Sequence, residues 1–255
     1  MSLLNGIVLF VAAMIAGLMN SVAGGGSFFS FPALIFTGVP PIPANATSTV
    51  AIWPGSVAAV GAYWSKLPRR AGIMVPLTVS SVVGGLLGAL ILLRTPQATF
   101  MRLVPYLFLV ATLLFTFGKR LSQSVGARFN NPSAPSWLTV TGAALVQLVI
   151  ALYGGFFGGG IGILMLALLS MVQVGDIHSM NAVKSLLAAA INGAAVITFI
   201  VAGAVVWPQA LLMIVGAALG GYGGAHFAQK LDPGLVRRFV IVVGFSMTIY
   251  FLWKR

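Results

Sequence analysis

The chain has 255 residues, 59% hydrophobic and only 6% charged, with a mean hydropathy of +1.06; this exceeds what one water-soluble core buries, so a soluble domain is excluded and lipid is the expected solvent. Its 14 Lys plus Arg against 2 Asp plus Glu give a formal net charge of +12, but the basic residues gather at the ends of apolar segments, which argues against a nucleic-acid partner. Cysteine is absent, which excludes disulfides and thiolate chemistry.

In chain order, apolar segments run near 5–37, 44–64, 72–93, 101–118, 137–174, 181–203, 207–228 and 235–253. No Lys or Arg precedes the first, so it is expected to belong to the fold rather than to a cleaved leader. A membrane-spanning helix needs roughly 20 apolar residues. The first and fifth segments exceed that, and each is interrupted by glycines: Gly24-Gly25-Gly26-Ser27 in one, Gly158-Gly159-Gly160-Ile161-Gly162 in the other. Adjacent glycines cost a helix about 1 kcal/mol each relative to Ala, so the backbone is expected to unwind there.

The chain also repeats. Adding 136 carries Asn45 to Asn181, Gly84-Gly85 to Gly220-Gly221, Gly88 to Gly224 and Arg102 to Arg238, while the glycine breaks align at 134. The expected fold is therefore an all-α polytopic membrane protein of two homologous halves, residues 1–118 and 137–255. Residues 119–136, rich in Ser, Asn and Pro, read as a linker between them.

The piece from Ser27 to Thr37 covers only about half of a ~30 Å hydrocarbon core. Each half is thus expected to hold a re-entrant, Gly-broken hairpin and three membrane-spanning helices, which makes the halves inverted repeats. Loop charge fits: Lys66, Arg69, Arg70, Lys119, Arg120, Arg128, Lys230, Arg237 and Arg238 then share the cytoplasmic face, with Arg94, Arg102, Lys254 and Arg255 opposite. Two complete crossings in place of the hairpins would instead give parallel halves with a weaker charge bias.

The acidic side chains are Asp176 and Asp232, both near segment ends. No mid-membrane carboxylate is left for a proton relay or a Na+ site, which argues against a cation pump. An anion is better matched. Helix starts after Gly24, Gly25, Gly26 and Ser27, and after Gly158, Gly159 and Gly160, offer backbone N–H groups and positive dipole ends that are expected to meet at the symmetry axis. The competing explanation is that these glycines only let helices approach closely.

Polar residues open the next helix in each half: Asn45, Thr47 and Ser48, then Asn181, Lys184 and Ser185. Asn45 and Asn181 are equally well explained as helix caps. Lys184 either snorkels to the interface or, with Asn181, Ser185 and Asn192 on its side of the helix, faces substrate. His226 is the candidate for proton coupling, with His178 the other histidine, and Asp176 reads as a cap or loop pair. The five tryptophans sit mostly at segment ends as an aromatic belt. Nothing here has the spacing of a nucleotide loop, a metal site or a nucleophile elbow, so no cofactor, metal or enzymatic activity is expected.

The run Ala23-Gly24-Gly25-Gly26-Ser27 to Pro32 and Asn45-Ala46-Thr47-Ser48 are followed by Tyr153-Gly154-Gly155-Phe156-Phe157-Gly158-Gly159-Gly160-Ile161-Gly162 and Asn181-Ala182-Val183-Lys184. In order and spacing they resemble the TauE/SafE sulfite-exporter family over nearly the whole chain. The resemblance implies a multi-pass permease of the bacterial inner membrane, exporting sulfite, sulfoacetate or related small sulfur-containing anions without ATP. Alternating access between the broken-helix ends is the expected mechanism, with an anion channel or a non-transporting scaffold as alternatives. A homodimer is expected by analogy.

Overall fold

The computed structural model describes residues 1–22, 25–68, 71–128, 137–172, 174–227 and 233–254, and they are all-helical. In order these are α1 (Leu3–Val22), α2 (Ser27–Phe36), α3 (Pro41–Tyr63) with a 3-10 turn at Trp64–Lys66, α4 (Ala71–Arg94), α5 (Gln97–Arg128), α6 (Trp137–Phe156), α7 (Ile161–Met171), α8 (Ile177–Val201), α9 (Trp207–Phe227) and α10 (Pro233–Trp253). Helix α5 runs ten residues beyond the apolar segment that ends at 118, a stretch in which no proline takes away a backbone donor.

Five of these helices, α1, α4, α5, α6 and α8, are long and apolar enough to cross a membrane, with mean hydropathies of 1.7 to 2.1. Only 28% to 39% of each such window is buried inside the protein. The remainder puts Leu145, Val149 and Ile197 on the outside, as α10 does Val242 and Ile249, an arrangement that lipid tolerates and water does not. By contrast α2 and α7, of 10 and 11 residues, reach only about 15 Å.

Helix packing exchanges the halves. Helix α1 lies along α9 and α6 along α4, while α3 crosses α8 and α5 packs on α10. The α1–α9 contact is parallel: Gly216 packs on the Phe10 carbonyl and Gly220 on the Met14 carbonyl. The α6–α4 contact is its copy, with Gly84 on the Leu148 carbonyl and Gly88 on that of Leu152. Shifting Gly84 by 136 gives Gly220, and shifting Met14 by 134 gives Leu148. Small residues at such crossings let backbones meet, which matters where lipid leaves no hydrophobic force between helices.

Cross-links order the two ends of the bundle. The Ile42 N–H donates to Gln97 Oε1 at 2.9 Å, and the Val206 N–H to Thr47 Oγ1 at 3.0 Å, so α3, α5 and α9 begin at one end. There α1, parallel to α9, also begins. At the other end Arg237 of α10 donates to the carbonyls of Phe115 and Thr116 at 2.7 and 2.9 Å. Helix α6, parallel to α4, begins there too. The α1–α2 unit therefore starts and finishes at the first end, and α6–α7 at the second.

A phenylalanine cluster fills the middle. Phe28 of α2 meets Phe108 and Phe115 of α5 edge-on at centroid distances of 5.3 and 5.6 Å, and Phe108 meets Phe157 at 5.4 Å. Such pairs add about 0.5–1.5 kcal/mol each beyond the area they bury.

Candidate functional site

The two glycine breaks are built differently. After the second, Gly158 and Gly160 have φ of 84° and 78°, the left-handed region where a side chain is strained, and Gly160 occupies the N-cap of α7. At the first, Gly26 is right-handed helical, with φ −58°. What requires glycine here is space: a Cβ would stand 2.7 Å from the Ala16 carbonyl oxygen, so α2 could not fold back against α1. Gly24 lies outside the described residues.

No side chain caps α2 or α7, which leaves helix-start N–H groups without side-chain acceptors. The starts do not meet, however. A Cβ added at Gly25 would stand 3.1 Å from Val240 and 3.3 Å from the Phe115 ring, whereas one at Gly159 or Gly160 would stand 3.1 or 3.4 Å from Ala111. Both breaks lie beside one turn of α5, whose Phe108 packs on Phe28 of α2 and on Phe157 ahead of α7.

The first-half candidates are engaged in protein bonds. Asn45 Nδ2 donates to the Phe156 carbonyl at 3.2 Å, satisfying an acceptor left over at the end of α6. It does not cap α3, whose N-cap is Pro40. Buried Thr47 accepts from Val206, and buried Ser48 shares a 2.6 Å hydrogen bond with Ser30. Ser27 is half-buried. Each such buried bond contributes about 1 kcal/mol net, but costs more than that if one partner is left alone.

The second half differs. Helix α8 starts at Ile177, capped by Asp176, whose carboxylate accepts from the Ser179 N–H at 2.9 Å. That contact holds the Asp176 carboxyl below its usual range: the Ser179 side chain contributes first and its backbone N–H next, with His178 and Lys66 as nearby positive charges. Asn181 is thus inside the helix rather than at its cap. Its Oδ1 accepts from Lys184 Nζ at 3.0 Å, and Ser185 Oγ turns back to the Asn181 carbonyl at 2.9 Å.

Lys184 is half-buried. Its stem would lie 3.5 Å from a Cβ at Gly162, which places it beside the first turn of α7. Asp176, the one described acidic side chain, is exposed at the head of α8. Lys184 is thus a half-buried basic side chain whose hydrogen-bond acceptor is a neutral amide. His226 falls in α9, with its side chain outside the described set.

Three polar residues escaped the sequence patterns. Gln147 Nε2 donates to Ser81 Oγ at 2.8 Å between α6 and α4, both residues fully buried. Ser30 joins Ser48 as described. The one glutamine of apolar α6 is a signal in itself; Ser30 has none, since serine is common in such helices.

Long helices with apolar outer faces define a polytopic membrane protein. The chain belongs to the sulfite exporter TauE/SafE family, whose model matches residues 9–251. It is 29% identical over 245 residues to "Probable membrane transporter protein ORF9" of Sinorhizobium sp, covering 96% of this chain and 91% of that one. A "Probable membrane transporter protein" of Haemophilus influenzae is 26% identical over 242 residues, covering 94% and 92%. "Probable membrane transporter protein YfcA" of Escherichia coli K12 is 27% identical over 247 residues, covering 96% and 89%. No solved structure matches the chain.

Proposed function

We propose that the protein is a secondary transporter of the bacterial inner membrane that exports small sulfur-containing anions, such as sulfite or organosulfonates, by alternating access, and that it catalyses no covalent change. The observation that carries the anion assignment is Lys184, half-buried beside the α7 start with the Asn181 amide as its partner. Sulfur enters through the family.

In this proposal α1–α2 and α6–α7 are re-entrant hairpins from opposite faces, so the halves are inverted repeats; the exchanged contacts and the opposite ends at which the hairpins open support it. The end that carries Lys66 and Arg237 is then cytoplasmic. Lys184, Asn181, Ser185 and the backbone of Gly158 to Gly160 take the oxyanion. Asn45, Thr47 and Ser48 clamp α3 to neighbouring elements, so access to the site requires those bonds to exchange. His226 carries the proton if flux is coupled, and the assembly is a homodimer.

Radiolabelled sulfite loaded into proteoliposomes tests the reading. Saturable flux that competing sulfonates inhibit is the expected result. Non-saturating anion current would replace the carrier with a channel, and absence of any flux would leave a scaffold.

A further inference from the structure

At the end where α5 begins and α10 finishes, Ala98, Met101, Arg102, Phe251 and Lys254 line an open cavity of about 510 Å3. Ala98, Met101 and Arg102 belong to the first two turns of α5, so the positive end of that helix also faces the space. Lys254 directly follows α10. Its backbone N–H is bonded to the Tyr250 carbonyl at 3.0 Å, and its Nζ lies 5.5 Å from the Tyr250 ring centroid, which biases the ammonium back along the helix. Phe251 is buried behind the cavity and Met101 is half-buried.

We propose that this cavity seats the headgroup phosphate of an anionic phospholipid, between Arg102 and Lys254, with the start of an acyl chain against Met101 and Phe251. Charge complementarity argues for the headgroup: two cationic side chains and a helix start converge on one cavity. Level argues for it as well. The cavity lies at the terminal turns of two packed helices, at the end where α4 finishes with Arg94, which is where headgroups meet a bundle whose helices span the bilayer. A free oxyanion would meet the positive charge but leave the apolar walls against water, whereas a diacyl lipid covers both. Because α5 and α10 come from different halves, one lipid there bridges them. The site is separate from Lys184 and independent of the transported substrate.

The test is native mass spectrometry and thermal shift on the purified full chain with phosphatidylglycerol, phosphatidylcholine or inorganic phosphate. Phosphatidylglycerol is expected to be retained and to raise Tm above phosphatidylcholine. Arg102→Gln and Lys254→Gln are each expected to lower that retention about five-fold, leaving phosphatidylcholine unaffected. Ala98→Phe keeps both charges but fills the cavity, and should also lower it. The proposal is overturned if these variants, monodisperse on size exclusion, retain phosphatidylglycerol as the parent does, or if it shows no advantage over phosphatidylcholine. It is equally overturned if inorganic phosphate stabilises the protein as much as the lipid does.

Discussion

Trp53 Nε1–H donates to the carbonyl oxygen of Ala189 at 3.1 Å, and the two residues stand 136 positions apart, the same offset that relates the halves. The bond therefore joins positions one sequence offset apart, where α3 packs on α8. Glycine at 193 makes room for the indole: a Cβ there would lie 3.3 Å from the ring. Trp53→Phe keeps much of the ring and removes the donor. It is expected to lower stability by about 1 kcal/mol in a denaturant titration, and Gly193→Leu, which displaces the indole, by more. Equal stability of Trp53→Phe and the parent would show that the crossing is held by packing alone.

The copied close approaches make a matched pair of predictions. Valine at Gly84 would put a Cβ 2.7 Å from the Leu148 carbonyl oxygen, and valine at Gly220 would meet the Met14 carbonyl. Backbone cannot yield as a flexible side chain can, so each is expected to cost about 1–3 kcal/mol, to a similar extent in both halves. Gly55 and Gly142, also helical, face open space. Alanine at either should be neutral or stabilising by up to about 1 kcal/mol. Thermal unfolding in detergent separates the two classes.

The membrane class was legible because lipid imposes a composition and a segment length that no soluble core shares. The glycines that carry the 136-residue sequence offset are also helix contacts: Gly84 and Gly220, a spaced pair in the sequence, each meet the backbone carbonyl of a neighbouring helix. The site was less legible. Sequence locates a helix start but not what packs around it: Phe28 and Phe108, unremarked in apolar runs, join Phe157 in one aromatic cluster beside the two starts. Asn45 and Asn181 looked like caps because apolarity begins near them. The helices begin four residues earlier, at Pro41 and Ile177, where proline and a capped first turn fix the backbone with no apolar signal.

Asp176 supplies a pH dependence. Its carboxyl titrates below the usual value because the charged form accepts from Ser179. A depressed folded pKa contributes stability that is complete above the unfolded value of about 3.9 and is lost as pH falls through the folded value. Asp176→Asn keeps an N-cap but cannot ionise. Its unfolding midpoint should thus lie below the parent's at pH 6 and approach it as pH falls below about 3.9. Asp176→Ala, with no cap, should be the least stable at pH 6. Parallel pH profiles for the parent and Asp176→Asn would rule out the carboxylate as the responsible group.

Lys184 and Asn181 separate charge from position. If the ammonium is the anion's partner, Lys184→Met removes the charge while keeping an unbranched apolar stem, and saturable sulfite flux should fall by at least about ten-fold with the fold intact. Lys184→Arg keeps the charge but brings a planar, longer head that the Asn181 amide does not fit in the same way, so partial flux with a raised KM is expected. Asn181→Ala leaves the charge and removes the acceptor at 3.0 Å. Hydrogen bonds to charged groups are worth about 1.5–3 kcal/mol, so its stability should fall, and added sulfite should restore more of the lost Tm than it adds to the parent, because the anion replaces the missing partner. In Lys184→Met the same sulfite should produce no shift. A sulfite shift of equal size in Lys184→Met and the parent would place the anion elsewhere in the bundle.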